Sequence, residues 1–272
     1  LINGEISSAY DVPPGLAITS YYQVISTSTL NGITCSATSN TLTVTVSAAP
    51  VVQNVNQTIC SGTAFTVSPS NGGGNSVPAG TSYTWTVNNN PNVFGQSAQN
   101  SGQNSISQTL TNNTNTPQTI IYSVTPTAGV CSGNPFSVNV LVNPTPVLTL
   151  SAHHTICGGQ TTTASTYTNS VAGGIFTYAL QNAAGVPAVV TGFPTTGNGQ
   201  IPSATINNSG TAAFTLNYTV TPAANGCNGV VGTYSITINP APVTTFSIAN
   251  QAICSGTNSA PVTFASTTPN VT

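Results

Sequence analysis

The 272-residue sequence contains no lysine or arginine, and its only acids are Glu5 and Asp11, for a formal charge of −2. An ordinary globular protein is about 25% charged, so this surface must be hydrated by Ser, Thr, Asn and Gln. That excludes electrostatic recognition of nucleic acid or an anionic membrane, and no apolar run reaches the ~20 residues of a membrane-spanning helix.

Hydrophobic residues make up 38% of the chain, and Val, Ile, Thr and Tyr are abundant. This composition argues for β-structure and against disorder. Residues 1–48 read as the C-terminal part of a β-sandwich domain that closes on Ala49-Pro50. Residues 49–145 read as a complete domain. In it, Tyr83, Trp85 and Val87 share one strand face, followed by Ile120, Tyr122 and Val124, then by Phe136, Val138, Val140 and Val142. Residues 146–241 repeat the series as Phe176/Tyr178/Leu180, Phe214/Leu216/Tyr218/Val220 and Tyr234/Ile236/Ile238. Residues 242–272 open a further domain. Alternation of this kind puts one face in a core and the other in water, as in an antiparallel sandwich. Turn residues interrupt it at Ser70 to Gly74, Asn112-Asn113-Thr114 and Ala224-Asn225-Gly226. No helix is predicted. Pro-containing joints at Ala49-Pro50, Asn143 to Pro146 and Asn239 to Pro242 form semi-rigid spacers.

Six cysteines mark the repeat. Cys60, Cys157 and Cys254 stand 97 residues apart, and Cys35, Cys131 and Cys227 stand 96 apart. A unit of that length can bury its own core, so the organisation is beads on a string. Zinc needs close cysteine pairs, and here no two are closer than 25 residues. Structural disulfides in an oxidising compartment are the better reading, and the chain reads as an excerpt of a longer exported protein. Spacing leaves the connectivity open. Cys60–Cys131 and Cys157–Cys227 would close each domain on itself, leaving Cys35 and Cys254 unpaired within this stretch. Cys35–Cys60, Cys131–Cys157 and Cys227–Cys254 would instead cross the joints, which needs the chain to double back.

Ile59-Cys60-Ser61-Gly62, Tyr83-Thr84-Trp85-Thr86-Val87, Tyr122-Ser123-Val124-Thr125-Pro126, Gly129-Val130-Cys131-Ser132-Gly133-Asn134 and Asn143-Pro144-Thr145-Pro146 follow one another in that order. The series resembles the PKD-like, immunoglobulin-like repeats of Bacteroidota surface proteins. It is similar above all to gliding-motility adhesins of the SprB type, which the type IX secretion system exports. Two departures stand out. Asn88-Asn89-Asn90 replaces the family's Gly-Asp-Gly turn, and Tyr178 takes the place of Trp85 in the second unit. The resemblance implies tandem β-sandwiches in a linear array, with disulfides Cys60–Cys131 and Cys157–Cys227 inside them. It also implies a location on the cell surface, and as partners the neighbouring repeats, the secretion and anchoring machinery and surface polysaccharide.

Alternation places Tyr83, Trp85, Tyr122, Tyr178 and Tyr218 in the cores rather than on a sugar-stacking platform. His153 and His154 are adjacent on a strand, point to opposite faces and cannot easily hold one metal together. Asn56, Asn112, Asn207, Asn217 and Asn270 head Asn-x-Thr/Ser triplets, which arise readily in so Asn- and Thr-rich a chain. Catalysis fails on inventory. The two full domains contain no carboxylate and no amine, so neither a Ser-His-Asp triad nor a carboxylate calcium site can be assembled in them. No cofactor is expected. The expected function is the stalk of a secreted surface adhesin, against which stand a polysaccharide-binding module and a subunit of a self-assembling fibre.

Overall fold

The computed structural model describes residues 16, 18–247 and 250–266; Glu5, Asp11 and Asn270 lie outside the described residues. The fold is all-β, with two tandem sandwiches and, among the described residues, no α-helix; a single 3-10 turn occupies Ala183–Gly185.

In the first full repeat, one sheet runs in the order Val55–Cys60, Phe136–Asn143, Gln118–Ala128, Thr81–Val87, Gln99–Gln103. The facing sheet is Thr63–Val67, Ile106–Asn112 and Val93–Phe94. The long strand Gln118–Ala128 shows why the alternation matters. Ile120, Tyr122 and Val124 are fully buried, while Thr119, Ile121 and Ser123 between them are exposed. Full burial of each such side chain stabilises by about 1.5–3 kcal/mol. The second repeat rebuilds the same sheet as His154–Cys157, Gly232–Asn239, Phe214–Ala224, Ile175–Leu180 and Thr196–Asn198. Each repeat has its own core, one around Tyr122 and Val140, the other around Tyr218 and Ile236.

Two features of this topology position everything that follows. The first strand of each repeat lies parallel to the last, so Cys60 stands opposite Asn143 and Cys157 opposite Asn239. Both cysteines therefore sit at the trailing end of their sandwich, where the chain leaves. The other cysteine of each repeat sits at the leading end, where the long strand turns back: Ala128 pairs with Cys131 and Ala224 with Cys227. Pro126 and Pro222 fall where the long strand changes partner, so their missing N–H interrupts no ladder.

The flanking segments form smaller pieces of sheet. Ile25–Leu30 and Ile33–Thr38 make a hairpin around Asn31-Gly32, both at positive φ, and Thr244–Phe246 pairs with Phe264–Ser266.

One turn expectation needs correction. Asn112 is not a solvent-facing turn residue; it ends the strand Ile106–Asn112 and is 7% exposed. Its Nδ2 donates to the carbonyls of Val142 and Thr116, and its Oδ1 accepts from Thr114 N–H. Asn208, 96 residues on, makes the same bonds to Ile238 O, Ala212 O and Gly210 N–H. Each repeat thus uses one buried amide to tie its smaller sheet to the last strand of the larger one. Both Nδ2 donors of Asn112 are engaged, which rules out that Asn as a glycan acceptor in the folded state.

Candidate functional site

The cysteine pairing differs from the expectation. Cys60 is bonded to Cys227, with S–S 1.99 Å and Cα–Cα 5.7 Å. Cys131 and Cys157, expected as partners of these two within their own domains, carry no disulfide, nor do Cys35 and Cys254. Neither Cys60–Cys131 nor Cys157–Cys227 can form. Cys60 and Cys131 lie at opposite ends of one sheet, about ten residues or ~33 Å apart along the central strand, whereas bonded cysteines have Cα atoms about 6 Å apart. Joint-crossing pairs of the type Cys131–Cys157 fail for a related reason, since they would join the leading end of one repeat to the trailing end of the next. The observed bond joins the trailing end of the first repeat to the leading end of the second.

Local structure holds both cysteines in place. After Cys60 the backbone crosses between sheets, with Ser61 N–H donating to Asn143 O and Gly62 N–H donating to Leu110 O. Gly62 adopts φ 82° there, a conformation other residues rarely take. Cys227 follows the two-residue turn Asn225-Gly226, in which both residues have positive φ, as a tight hairpin requires.

Two hydrogen bonds flank the disulfide. Asn143 Nδ2 donates to Asn225 O at 2.8 Å, and Thr145 Oγ1 donates to Ser61 O at 3.3 Å. The joint also packs against the hairpin: a Cβ on Gly229 would collide with Pro146 O. The joint before the first repeat is built alike, where a Cβ on Gly133 would meet Pro50 O. Proline at the joint and glycine two residues after the leading-end cysteine are thus steric partners. Their common 96-residue period was the signal in the sequence that could have revealed the contact.

Cys227 is 2% exposed and Asn143 5%. The bond closes a loop of 167 residues spanning most of both repeats. In the chain-entropy model this disfavours the state with both repeats unfolded by ~5 kcal/mol.

The remaining candidate residues are placed as follows. Tyr83, Trp85, Tyr122, Tyr178 and Tyr218 are all buried. Trp85 Nε1 donates to Ser97 O, Tyr122 donates its hydroxyl proton to Gln108 Oε1 and Tyr218 to Pro194 O. Burial pushes the hydroxyls of Tyr122 and Tyr218 well above the usual phenol value, with Tyr178 adding to the shift at Tyr218. None of the five offers an open ring to a sugar. His153 accepts Ser235 N–H on Nδ1, and His154 Nε2 contacts Thr163 Oγ1, so the two engage different partners. A shallow, open depression of about 180 Å³ lies beside Thr84, Trp85, Thr86, Asn100, Ser123 and Thr125. A larger one of about 430 Å³ lies at the matching place in the second repeat, beside Thr177, Tyr178, Asn198, Thr219 and Thr221.

Two Ig-like sandwiches in tandem, each with its own core and joined by a short Pro-containing segment, define the class of protein. The sequence matches the PKD-like domain family over residues 57–146 and again over 154–242, and the chain belongs to that family. No curated protein matches the sequence. Among solved structures, it is similar at 14% identity to extracellular cadherin domains 1–5 of protocadherin gamma B2 (TM-score 0.31), over 90% of this chain and 52% of that one. Thus it spans about half the length of that relative. Human CDH23 EC21–23 shares 14% identity over 80% of each chain (TM-score 0.36), and the titin I-band fragment I67–I69 shares 10% over 74% of this chain and 75% of that one (TM-score 0.35).

Proposed function

We propose that this segment is a non-catalytic, load-bearing stalk of an exported bacterial surface adhesin of the gliding-motility kind. The disulfide across the joint is the observation that carries the reading. Tension arriving at Pro50 runs along the strand Val55–Cys60 to the trailing end of the first repeat. It then passes through Cys60–Cys227 to the leading end of the second and leaves along Gly232–Asn239. This covalent path bypasses the residues between the two cysteines, so only the first strand of one sandwich and the last strand of the next lie in the line of force.

Other features support the same reading. A disulfide persists in an oxidising environment, in keeping with export. The two repeats lack the carboxylates and amines that hydrolytic or transfer chemistry needs, and their tyrosines are buried in the cores. An uncharged Ser, Thr and Asn exterior limits adhesion along the shaft, leaving ligand contact to other parts of the protein. The partners on this reading are neighbouring repeats, the export and anchoring machinery and, at the adhesive part, surface polysaccharide.

Small-angle scattering tests the shape. An extended pair of repeats built on strands of ~35 Å should span on the order of 80 Å, whereas a pair folded side by side would be about half as long and would refute the stalk. A glycan array probed with the segment separates spacer from binding module, because specific retention on any polysaccharide would favour the latter.

A further inference from the structure

Cys131 and Cys157 are left unbonded, yet each is the repeat counterpart of a cysteine that is bonded. Cys157 follows Cys60 by 97 residues, ends the same first strand and stands opposite Asn239 as Cys60 stands opposite Asn143. Its turn is also the same: Gly158 N–H donates to Asn239 O and Gly159 N–H to Ile206 O, with Gly159 at φ 86°. Cys157 is exposed at the trailing end of the second repeat. Cys131 precedes Cys227 by 96 residues and sits on the same hairpin at the leading end of the first repeat.

The surroundings of Cys131 supply a second, independent observation. Its Sγ lies 3.3 Å from the carbonyl of Ser47, to which the thiol donates. Ser47 precedes Asn143 by 96 residues, so it holds the position in the preceding domain that Asn143 holds in the first full repeat. Asn143 is the residue opposite Cys60 on the sheet. The Cys131 sulfur is therefore already at the spot beside which a preceding first-strand cysteine would lie, and the Gly133–Pro50 contact brings the joint as close as Gly229–Pro146 does.

We infer that the joint disulfide is a rule of the array: the first-strand cysteine of each repeat bonds the hairpin cysteine of the next. Cys157 takes the hairpin cysteine of a following copy, and Cys131 takes the first-strand cysteine of a preceding one. Cys254 and Cys35, the next counterparts in the two series, follow the same rule. Each bond forms when two thiols lose two protons and two electrons to a disulfide oxidant such as oxidised glutathione, which is reduced to two thiols. The inference rests on the stalk reading and extends it, because the covalent bypass would then run unbroken from repeat to repeat.

The test inserts a second copy of residues 50–241 after Ala241 of the full chain, so that Ala241-Pro50 keeps the spacing of Ala241-Pro242. The first copy carries Cys131→Ser and the inserted copy Cys157→Ser, which leaves one Cys157 and one Cys131 to be mapped. The protein is refolded in oxidised and reduced glutathione, its remaining thiols are alkylated, and non-reduced peptides are mapped after chymotrypsin digestion, since trypsin has no site. The expected result is a peptide linking Cys157 to the inserted copy's Cys131, beside the Cys60–Cys227 peptide. Alkylated Cys157 in molecules that retain Cys60–Cys227 would overturn the inference and leave the stalk reading standing. Loss of Cys60–Cys227 itself would overturn both. A Cys60→Ser variant adds a control: the Cys157 link should persist, and its disappearance would show that the bonds do not form joint by joint.

Discussion

Reducing one bond should change how far this segment lengthens under load. With Cys60–Cys227 intact, full unfolding of residues 50–241 frees only the stretch before Cys60 and the stretch after Cys227. That is about 25 residues, or on the order of 90 Å of contour at ~3.6 Å per residue. Once the bond is reduced, roughly 190 residues enter the line of force and the contour approaches 700 Å. The roughly eightfold difference follows from connectivity alone and does not depend on the stability of either sandwich. Optical tweezers or force microscopy on the chain held outside residues 50 and 241, with and without a thiol-free reductant such as a trialkylphosphine, reads it directly. Cys60→Ser should behave like the reduced protein. Long unfolding steps of equal size before and after reduction would refute the bypass, and with it the claim that tension crosses at Cys60–Cys227.

Three further outcomes are expected. Asn208→Ala removes the amide that serves Ile238 O and Ala212 O, and should cost roughly 3 kcal/mol by urea denaturation; a loss below about 1 kcal/mol would show that the amide is not what ties the sheets. Tyr83 has a buried hydroxyl with no hydrogen-bond partner, whereas Tyr122 donates to Gln108, so Tyr83→Phe should be neutral or stabilising by about 1 kcal/mol while Tyr122→Phe destabilises by about as much; equal shifts would refute the distinction. Burial raises the folded-state pKa of Tyr122 and Tyr218 above the unfolded value of 10, so their contribution is fully present below pH ~10 and is lost as pH rises above it. Circular dichroism and tyrosinate absorbance should therefore change together on the alkaline side, and ionisation of all nine tyrosines near pH 10 with the fold intact would contradict this.

Much of the molecule was legible without coordinates because it depends on neighbours along the chain. Side chains on a strand alternate faces, so Ile120, Tyr122 and Val124 declared a buried face from their spacing, and Phe214 to Val220 declared it again in the second repeat. The period of the cysteines and of the Asn-Pro joints set the number and order of the sandwiches for the same reason. Asn112 was harder. Its place in an Asn-Asn-Thr run reads as a turn, and only the approach of Val142 from the other sheet makes it a buried staple. The disulfide depended wholly on tertiary structure. Which cysteines meet is set by which ends of two sandwiches face each other, and that follows from the parallel pairing of Val55–Cys60 with Phe136–Asn143. That pairing joins residues some eighty positions apart and sends Cys60 to the trailing end, ~33 Å from Cys131. Spacing along a chain carries no record of such a choice, so the repeat announced that the cysteines mattered and the topology decided that they lock one domain to the next.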